Sequence, residues 1–245
     1  MSKQLSIVIP LYNEEENIPA LLEGLGRISA ALDAPHEWVL VDNGSRDATA
    51  RLLDEAAAGS DRLRIVKVEE NQGYGWGIIS GLRQATGGVV GYLDGDLQVP
   101  PEDVPGMLGK VLETGAPLVV ARRMNRGDGV LRKIQSIVFN LLFRLLFGVR
   151  VSDVNGKPKF MSRELYEQMG LESRDWFIDA EILIKAARLG VQASEYDVHF
   201  LKREHGASHV NAGTVFEFLG NMLNYRLGRA GQLPAAQTKQ RAEQS

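Results

Sequence analysis

The chain has 245 residues, no cysteine, 44% hydrophobic content and a net charge of −3, from 28 Lys+Arg against 31 Asp+Glu. These values suit one large or two small domains with a real core. They exclude a disulfide scaffold, a thiolate zinc site and a cysteine nucleophile, and no global charge excess points to a nucleic-acid partner.

The first residues carry only a brief apolar run followed by acids, so no signal peptide is expected, and no stretch approaches the ~20 apolar residues that span a bilayer. Residues 5–9 predict a strand stopped by Pro10; Asn13 before Glu14, Glu15 and Glu16 predicts a helix cap with acids in the first turn. A second strand, residues 38–41, ends in "DNGSRDAT", where Ser45 or Asp47 can cap a helix through Ala58. Residues 63–68 alternate like a third strand, and "NQGYGWG" opens a helix to about Ala85. Residues 88–93 are a fourth strand, Pro100-Pro101-Glu102-Asp103 starts another helix, and residues 116–121 are a fifth strand. This rhythm predicts an α/β chain with a doubly wound, mainly parallel central sheet flanked by helices.

From Arg122 to Arg163, ten Lys or Arg stand against two acids. Within that excess, residues 130–149 read as an amphipathic helix, packed either on the sheet or in a membrane interface. Further on come a short capped helix at "SRELYEQM", a helix ending at Gly190, a strand over residues 191–200 and an apolar helix over residues 215–227. From Gln232 the tail is polar, and disorder is expected there. Residues 1–231 therefore read as a single domain whose composition changes at about residue 121.

Ligands of such sheets sit at the carboxyl ends of the strands, where Pro10, Asp42 and Asp94 all fall. In "YLDGDLQ", Asp94 and Asp96 are two apart and point to the same side of extended backbone, while Gly95 lets an object come close. Two carboxylates and the Gln98 amide oxygen suit Mg²⁺ or Mn²⁺ completed by diphosphate oxygens; the alternative is a turn whose aspartates cap the next helix. Asp42 is placed either to bind a base or ribose or to organise the "DNGS" turn. The glycines of "NQGYGWG", with Asn71 and Gly73 leading, could admit phosphate to backbone amides, although the spacing matches no established phosphate loop.

The series "SIVIPLYNEEENI", "VDNGSRDAT" and "NQGYGWGIISGLRQATGGVVGYLDGDLQVPPED" resembles the family 2 nucleotide-sugar glycosyltransferases of GT-A fold. "DGDLQ", "ARRMNRGDGVLRKIQSIVFNLL" and "DVNGKPKFMSRE" resemble its polyprenyl-phosphate sugar transferases, typified by dolichol-phosphate mannose synthases. The resemblance implies that Pro10, Tyr12, Glu14 and Asp42 bind the nucleotide and that Asp94, Asp96 and Gln98 hold the metal. It also implies that Arg122 or Arg123, Arg132 and Arg203 contact donor diphosphate or acceptor phosphate. Asn43 stands where many relatives have a second Asp, and some relatives carry membrane-spanning helices after the catalytic domain.

The function so implied is inverting transfer of a hexose, mannose from GDP or glucose from UDP, to a polyprenyl phosphate. The setting is the cytoplasmic face of a membrane, reached through the basic segment or a membrane-protein partner. A phosphate monoester is already largely dianionic at neutral pH, its second pKa being ~6, so it needs no general base; Arg132, Arg203 and His209 could position it. A hydroxyl acceptor would need one, with Asp179 or Glu181 in "FIDAEIL" as candidates. A nucleotide-sugar binding protein without turnover is a further alternative.

Overall fold

A computed structural model describes residues 5–124, 130–201 and 212–233. Strands β1 (Leu5–Leu11), β2 (His36–Asp42), β3 (Leu63–Lys67) and β4 (Val89–Tyr92) alternate with helices α1 (Ile18–Ala30), α2 (Thr49–Ala57) and α3 (Tyr74–Gln84). Next come α4 (Asp103–Thr114), β5 (Leu118–Met124), α5 (Val130–Phe147), β6 (Lys159–Ser162), α6 (Arg163–Met169), α7 (Ile178–Arg188), β7 (Ser194–His199) and α8 (Ala212–Arg226). The seven strands form one sheet in the order β3-β2-β1-β4-β6-β5-β7. Only β6 runs against its neighbours: it is antiparallel to β4 and to β5, while the other pairs are parallel.

Side-chain alternation in β1 divides the core. Leu5, Ile7, Ile9 and Leu11 face α1, α2 and α4, whereas Val8 faces α3, α6 and α7. Each fully buried Leu or Ile contributes roughly 1.5–3 kcal/mol of transfer free energy, so two covered faces give the sheet a stable platform.

Three local expectations are corrected. Pro10 does not stop β1, because the strand runs to Leu11 with Pro10 opposite Val41. Val8 O accepts from Leu93 N and Leu11 O accepts from Asn43 N, so Pro10 turns its amide edge to the side that β4 has already left. A missing donor there removes no ladder bond. Second, α1 begins at Ile18 with a proline in its first turn and no acid there; Glu14, Glu15 and Glu16 lie in the preceding turn. Third, β6 is a strand that the sequence did not predict. Lys159 sits mid-sheet with no exposed surface, opposite Tyr92 and Val120.

Helix α5 packs along one face and leaves the other exposed. Phe143 is fully buried, Phe139 and Phe147 pack one turn to either side of it, and Phe139 meets Phe218 of α8 edge-on at 4.8 Å. Asn140 is tied to the chain before β6, donating to Ser152 O at 2.9 Å and accepting from Val154 N at 3.3 Å. The outer face exposes Ile137, Leu141 and Leu145, with Leu223 and Leu227 exposed on and just after α8. Among the described residues, no helix is long and apolar enough to cross a membrane. The disorder expected of the polar tail concerns residues 234–245, which lie outside the described residues.

Candidate functional site

The loops after β1 and β2 are laced together. Asn13 N donates to Ser45 Oγ at 3.0 Å and Asn13 Oδ1 accepts from Arg46 N at 2.8 Å. Glu14 N donates to Thr49 Oγ1 at 2.9 Å, and Glu15 exchanges bonds with Asp47 and with Ala48 N. Ser45 is therefore a partner of Asn13 and does not cap α2, whereas Asp47 does accept from Thr49 N at 3.0 Å. Asp42 is buried at the end of β2 and accepts from Ser45 N at 2.9 Å, which organises the "DNGS" turn. Asn43, also buried, donates to Gly73 O at 3.0 Å, and its own Oδ1 has no partner. Asn71 Oδ1 accepts from Gly73 N at 2.8 Å. Pro10, Tyr12, Glu14, Asp42, Asn71 and Gly73 are thus gathered around the ends of β1 and β2, with Tyr12 side-exposed.

Two glycines answer to a packing demand that their motifs did not reveal. A Cβ on Gly73, whose φ is +111°, would lie 2.3 Å from Arg174 O, and one on Gly95 would lie 2.4 Å from Leu11 Cδ2. Both are small because protein atoms press on them, which corrects the reading of Gly95 as room for a ligand.

Beyond β4, one small pocket is lined by Asp94, Asp96, Gln98, Arg123, Lys157 and Phe200. Asp94 Oδ1 accepts from Tyr74 OH at 2.5 Å, and its Oδ2 lies 3.2 Å from Lys157 Nζ. Burial and the Asp94 charge push the Tyr74 phenol well above its ordinary range, so it remains a donor. Tyr74 stacks on Trp176, centroids 4.3 Å apart at 13°, and Lys157 Nζ lies 4.5 Å from the Tyr74 ring centroid and 5.1 Å from that of Trp176. Burial would drive the Lys157 ammonium down, but Asp94 and Asp179 hold it above its usual value. Gln98 Nε2 donates to Leu201 O at 3.1 Å, and Gln98 N donates to Asp96 Oδ1 at 3.2 Å.

Strand alternation separates the two adjacent arginines. Arg123 turns into the pocket and forms a bidentate pair with Asp153, at 2.7 and 2.9 Å. Arg122 turns to the opposite face and pairs with its cross-strand neighbour Asp197. Of the two, Arg123 is the one that lines the pocket. Arg132 is in the first turn of α5 and its side chain lies outside the described residues, as do Arg203 and His209 entirely.

Behind the pocket lies a sealed charge cluster. Asp179, 2% exposed, accepts from Lys159 Nζ and from Tyr92 OH, each at 2.5 Å, with Lys157 Nζ at 3.7 Å. Burial alone would raise the Asp179 carboxyl, yet the two lysines and these hydrogen bonds hold it below the usual carboxylate range. Lys159 also donates to Val154 O and Gly156 O, and burial pulls its ammonium down. Glu181 is fully buried, accepts from Glu172 N and Ser173 N, and pairs with Lys185 at 2.9 Å. Both candidate bases are thus buried and each already holds a lysine partner. Lys157, Lys159, Tyr74 and Trp176 were missed from sequence; the signal for the lysines was the basic run in "NGKPK", and that for Tyr74 its place in "NQGYGWG".

The donors present fit a hard divalent cation. Asp94, Asp96 and the Gln98 amide offer oxygen donors to one pocket. Among the described residues, no group of three or more His, Cys, Asp or Glu gathers to hold a metal, at this pocket or elsewhere. Two carboxylates make a partial shell of the kind that phosphate oxygens and water complete around Mg²⁺.

A mixed, mainly parallel sheet between two helical layers, with a crevice at the ends of β1, β2 and β4, defines the GT-A fold. Solved structures share it. Glucosyl-3-phosphoglycerate synthase from Mycobacterium tuberculosis, in complex with Mn²⁺, uridine diphosphate and phosphoglyceric acid, superposes with a TM-score of 0.72 at 22% identity, covering 92% of this chain and 79% of that one. The same enzyme with Mg²⁺ and uridine diphosphate gives 0.71, also at 22% identity, covering 92% and 80%. Residues 6–170 match the model of Glycosyl transferase family 2, and the chain belongs to that family. Curated relatives include the undecaprenyl-phosphate 4-deoxy-4-formamido-L-arabinose transferase of Pseudomonas fluorescens (strain Pf0-1), 39% identical over 206 residues, covering 83% of this chain and 59% of the relative. The protein of that name from Pectobacterium atrosepticum is 36% identical over 209 residues, covering 84% and 62%. The chain thus spans about three-fifths of the length of these relatives.

Proposed function

We propose that this chain transfers a glycosyl group from a nucleotide sugar to a polyprenyl phosphate by direct displacement with inversion. Pro10, Tyr12, Glu14, Asp42, Asn71 and Gly73 would bind the nucleotide, and Asp94, Asp96 and Gln98 would hold Mg²⁺ or Mn²⁺. When bound, the divalent ion stabilises negative charge on the departing nucleoside diphosphate. Arg123 from the described pocket, with Arg132 and Arg203, would orient phosphate groups; Arg122, tied to Asp197, takes no part.

The observation that carries the choice of acceptor is the burial of both candidate bases, Asp179 and Glu181. A phosphate monoester is a nucleophile without deprotonation, so a site without an accessible base suits it and does not suit a hydroxyl. The names of the curated relatives support the same acceptor class.

For the transferred sugar, mannose from a GDP donor and glucose from a UDP donor are two arms of the proposal. The relatives' names favour a third, 4-deoxy-4-formamido-L-arabinose. Purified protein should be incubated with undecaprenyl phosphate in vesicles, Mg²⁺ or Mn²⁺, and each labelled nucleotide sugar in turn. Label entering organic-extractable lipid supports the reading and selects the sugar; donor binding with no label in lipid would move the assignment to a binding protein.

Peripheral contact with a membrane, at its cytoplasmic face, is part of the proposal. It is supported by the exposed Ile137, Leu141 and Leu145 beside the exposed Arg144 and by the exposed Leu223 and Leu227. Leu141→Glu with Leu145→Glu should weaken binding to anionic vesicles about tenfold or more without lowering the melting temperature, because both side chains point away from the Phe143 stripe. Unchanged vesicle binding would remove the bilayer and leave a protein partner for this face.

A further inference from the structure

Lys157 occupies an unusual position for a lysine that the proposed chemistry has not used. Its Nζ lies 3.2 Å from Asp94 Oδ2, on one of the two carboxylates assigned to the metal. Its Nζ lies against the stacked rings of Tyr74 and Trp176, 4.5 and 5.1 Å from their centroids, and only 12% of the side chain is exposed. That exposed part opens into the pocket shared by Asp94, Asp96, Gln98 and Arg123.

The other charges nearby are already matched. Arg123 is held by Asp153 in a bidentate pair, and Asp179 has Lys159 at 2.5 Å against 3.7 Å for Lys157. Asp94 is therefore the principal counter-charge of Lys157. A divalent cation arriving on Asp94 would put two positive centres on one carboxylate, and repulsion would drive the ammonium off it. The aromatic faces tolerate the cation and the flexible four-carbon stem permits a swing. The nearest new source of negative charge is the phosphate oxygens that a metal on Asp94 and Asp96 would bring or meet.

We propose that Lys157 is a phosphate-binding cation of this site, parked on Asp94 until a divalent ion takes that carboxylate and then transferred to a phosphoryl oxygen. The inference rests on the glycosyltransferase reading and adds a positioning residue to it. The phosphoryl group belongs either to the donor diphosphate or to the acceptor monophosphate, and the same chemistry recognises both.

The parked cation makes two predictions of opposite sign. In Lys157→Met, which removes the charge and keeps an unbranched apolar side chain beside the rings, Mn²⁺ binding without nucleotide, followed by electron paramagnetic resonance, should tighten several-fold. In the presence of Mn²⁺, affinity for a phosphate ligand should fall about tenfold or more, the size expected for one lost charge-assisted hydrogen bond. UDP and GDP probe the donor site, and farnesyl phosphate probes the acceptor site; the probe that weakens identifies the phosphate. Lys157→Arg should restore most of that affinity.

Unchanged Mn²⁺ and phosphate affinities in a folded Lys157→Met protein would overturn the proposal and leave Lys157 a structural counter-ion. If the wild-type protein binds neither UDP nor GDP with Mn²⁺, the glycosyltransferase reading fails first and this inference with it. If Lys157→Met does not fold, a wild-type crystal grown with Mn²⁺ and the bound nucleotide decides the question: Nζ at about 3 Å from a phosphate oxygen supports transfer, and Nζ still on Asp94 refutes it.

Discussion

Two Asp–Lys pairs stand back to back in this protein and do opposite things with the same chemistry. Asp94 and Lys157 meet at 3.2 Å at the mouth of a pocket, with the Asp94 side chain 29% exposed. Asp179 and Lys159 meet at 2.5 Å with 2% and no exposure. The outer pair is longer and partly exposed, and under the proposal above it exchanges partners. The inner pair is saturated by Tyr92, Val154 O and Gly156 O, and exchange would leave a charge stranded in the core. Depth, and not residue type, separates a ligand-handling pair from a framework pair.

The sharpest way to break this comparison is to alter both aspartates alike. Asp94→Asn should cut transferase turnover by on the order of 100-fold or more while leaving the melting temperature close to wild type. Retained turnover would strip the outer pair of its function. Asp179→Asn should do the reverse, costing roughly 3 kcal/mol because Lys159 loses its charge partner, with turnover per folded molecule largely kept. For a chain of this size that is a drop of about 6–12 °C, read by thermal melting.

Acid should single out the inner pair. The folded Asp179 pKa lies below its unfolded value of about 3.9, so its contribution is present above pH ~4 and disappears as pH falls through the lower folded value. Asp179→Asn should consequently flatten the acid limb of the stability profile below pH 4, measured by denaturant titration at successive pH values. The smallest effect belongs to Arg122→Ala. An exposed, solvent-screened pair with Asp197 contributes little to stability and lies on the wrong face for the pocket, whereas Arg123→Ala should impair nucleotide binding.

In each pair the sequence singled out the aspartate and not the lysine. Strand ends announce themselves by apolar runs that stop in Asp, so Asp42 and Asp94 could be placed on one edge before any coordinates. The D-x-D spacing then suggested convergence, and Asp94 and Asp96 do share a pocket. The strand β6 hid because Lys159 breaks an apolar run, and a lysine in mid-sheet is readable only once its three oxygen partners, all from other segments, are known. The arginines at 122 and 123 could not be ranked until the strand's facing was fixed, since adjacent residues point oppositely. Helix α5 was ambiguous for a different reason: it carries an inward phenylalanine stripe and an outward leucine stripe, so its periodicity could not tell the packed face from the exposed one.

The lacing of the loops after β1 and β2 has its own consequence. Asn13, Glu14 and Glu15 exchange hydrogen bonds with residues 32 to 35 positions away, before any ligand arrives. The conformational entropy of that ledge is lost when the chain folds, and an incoming guest does not have to freeze it. Ligands seated there should therefore bind with little unfavourable ordering of the backbone, and cutting any one of those bonds should loosen the seat more than it loosens the fold.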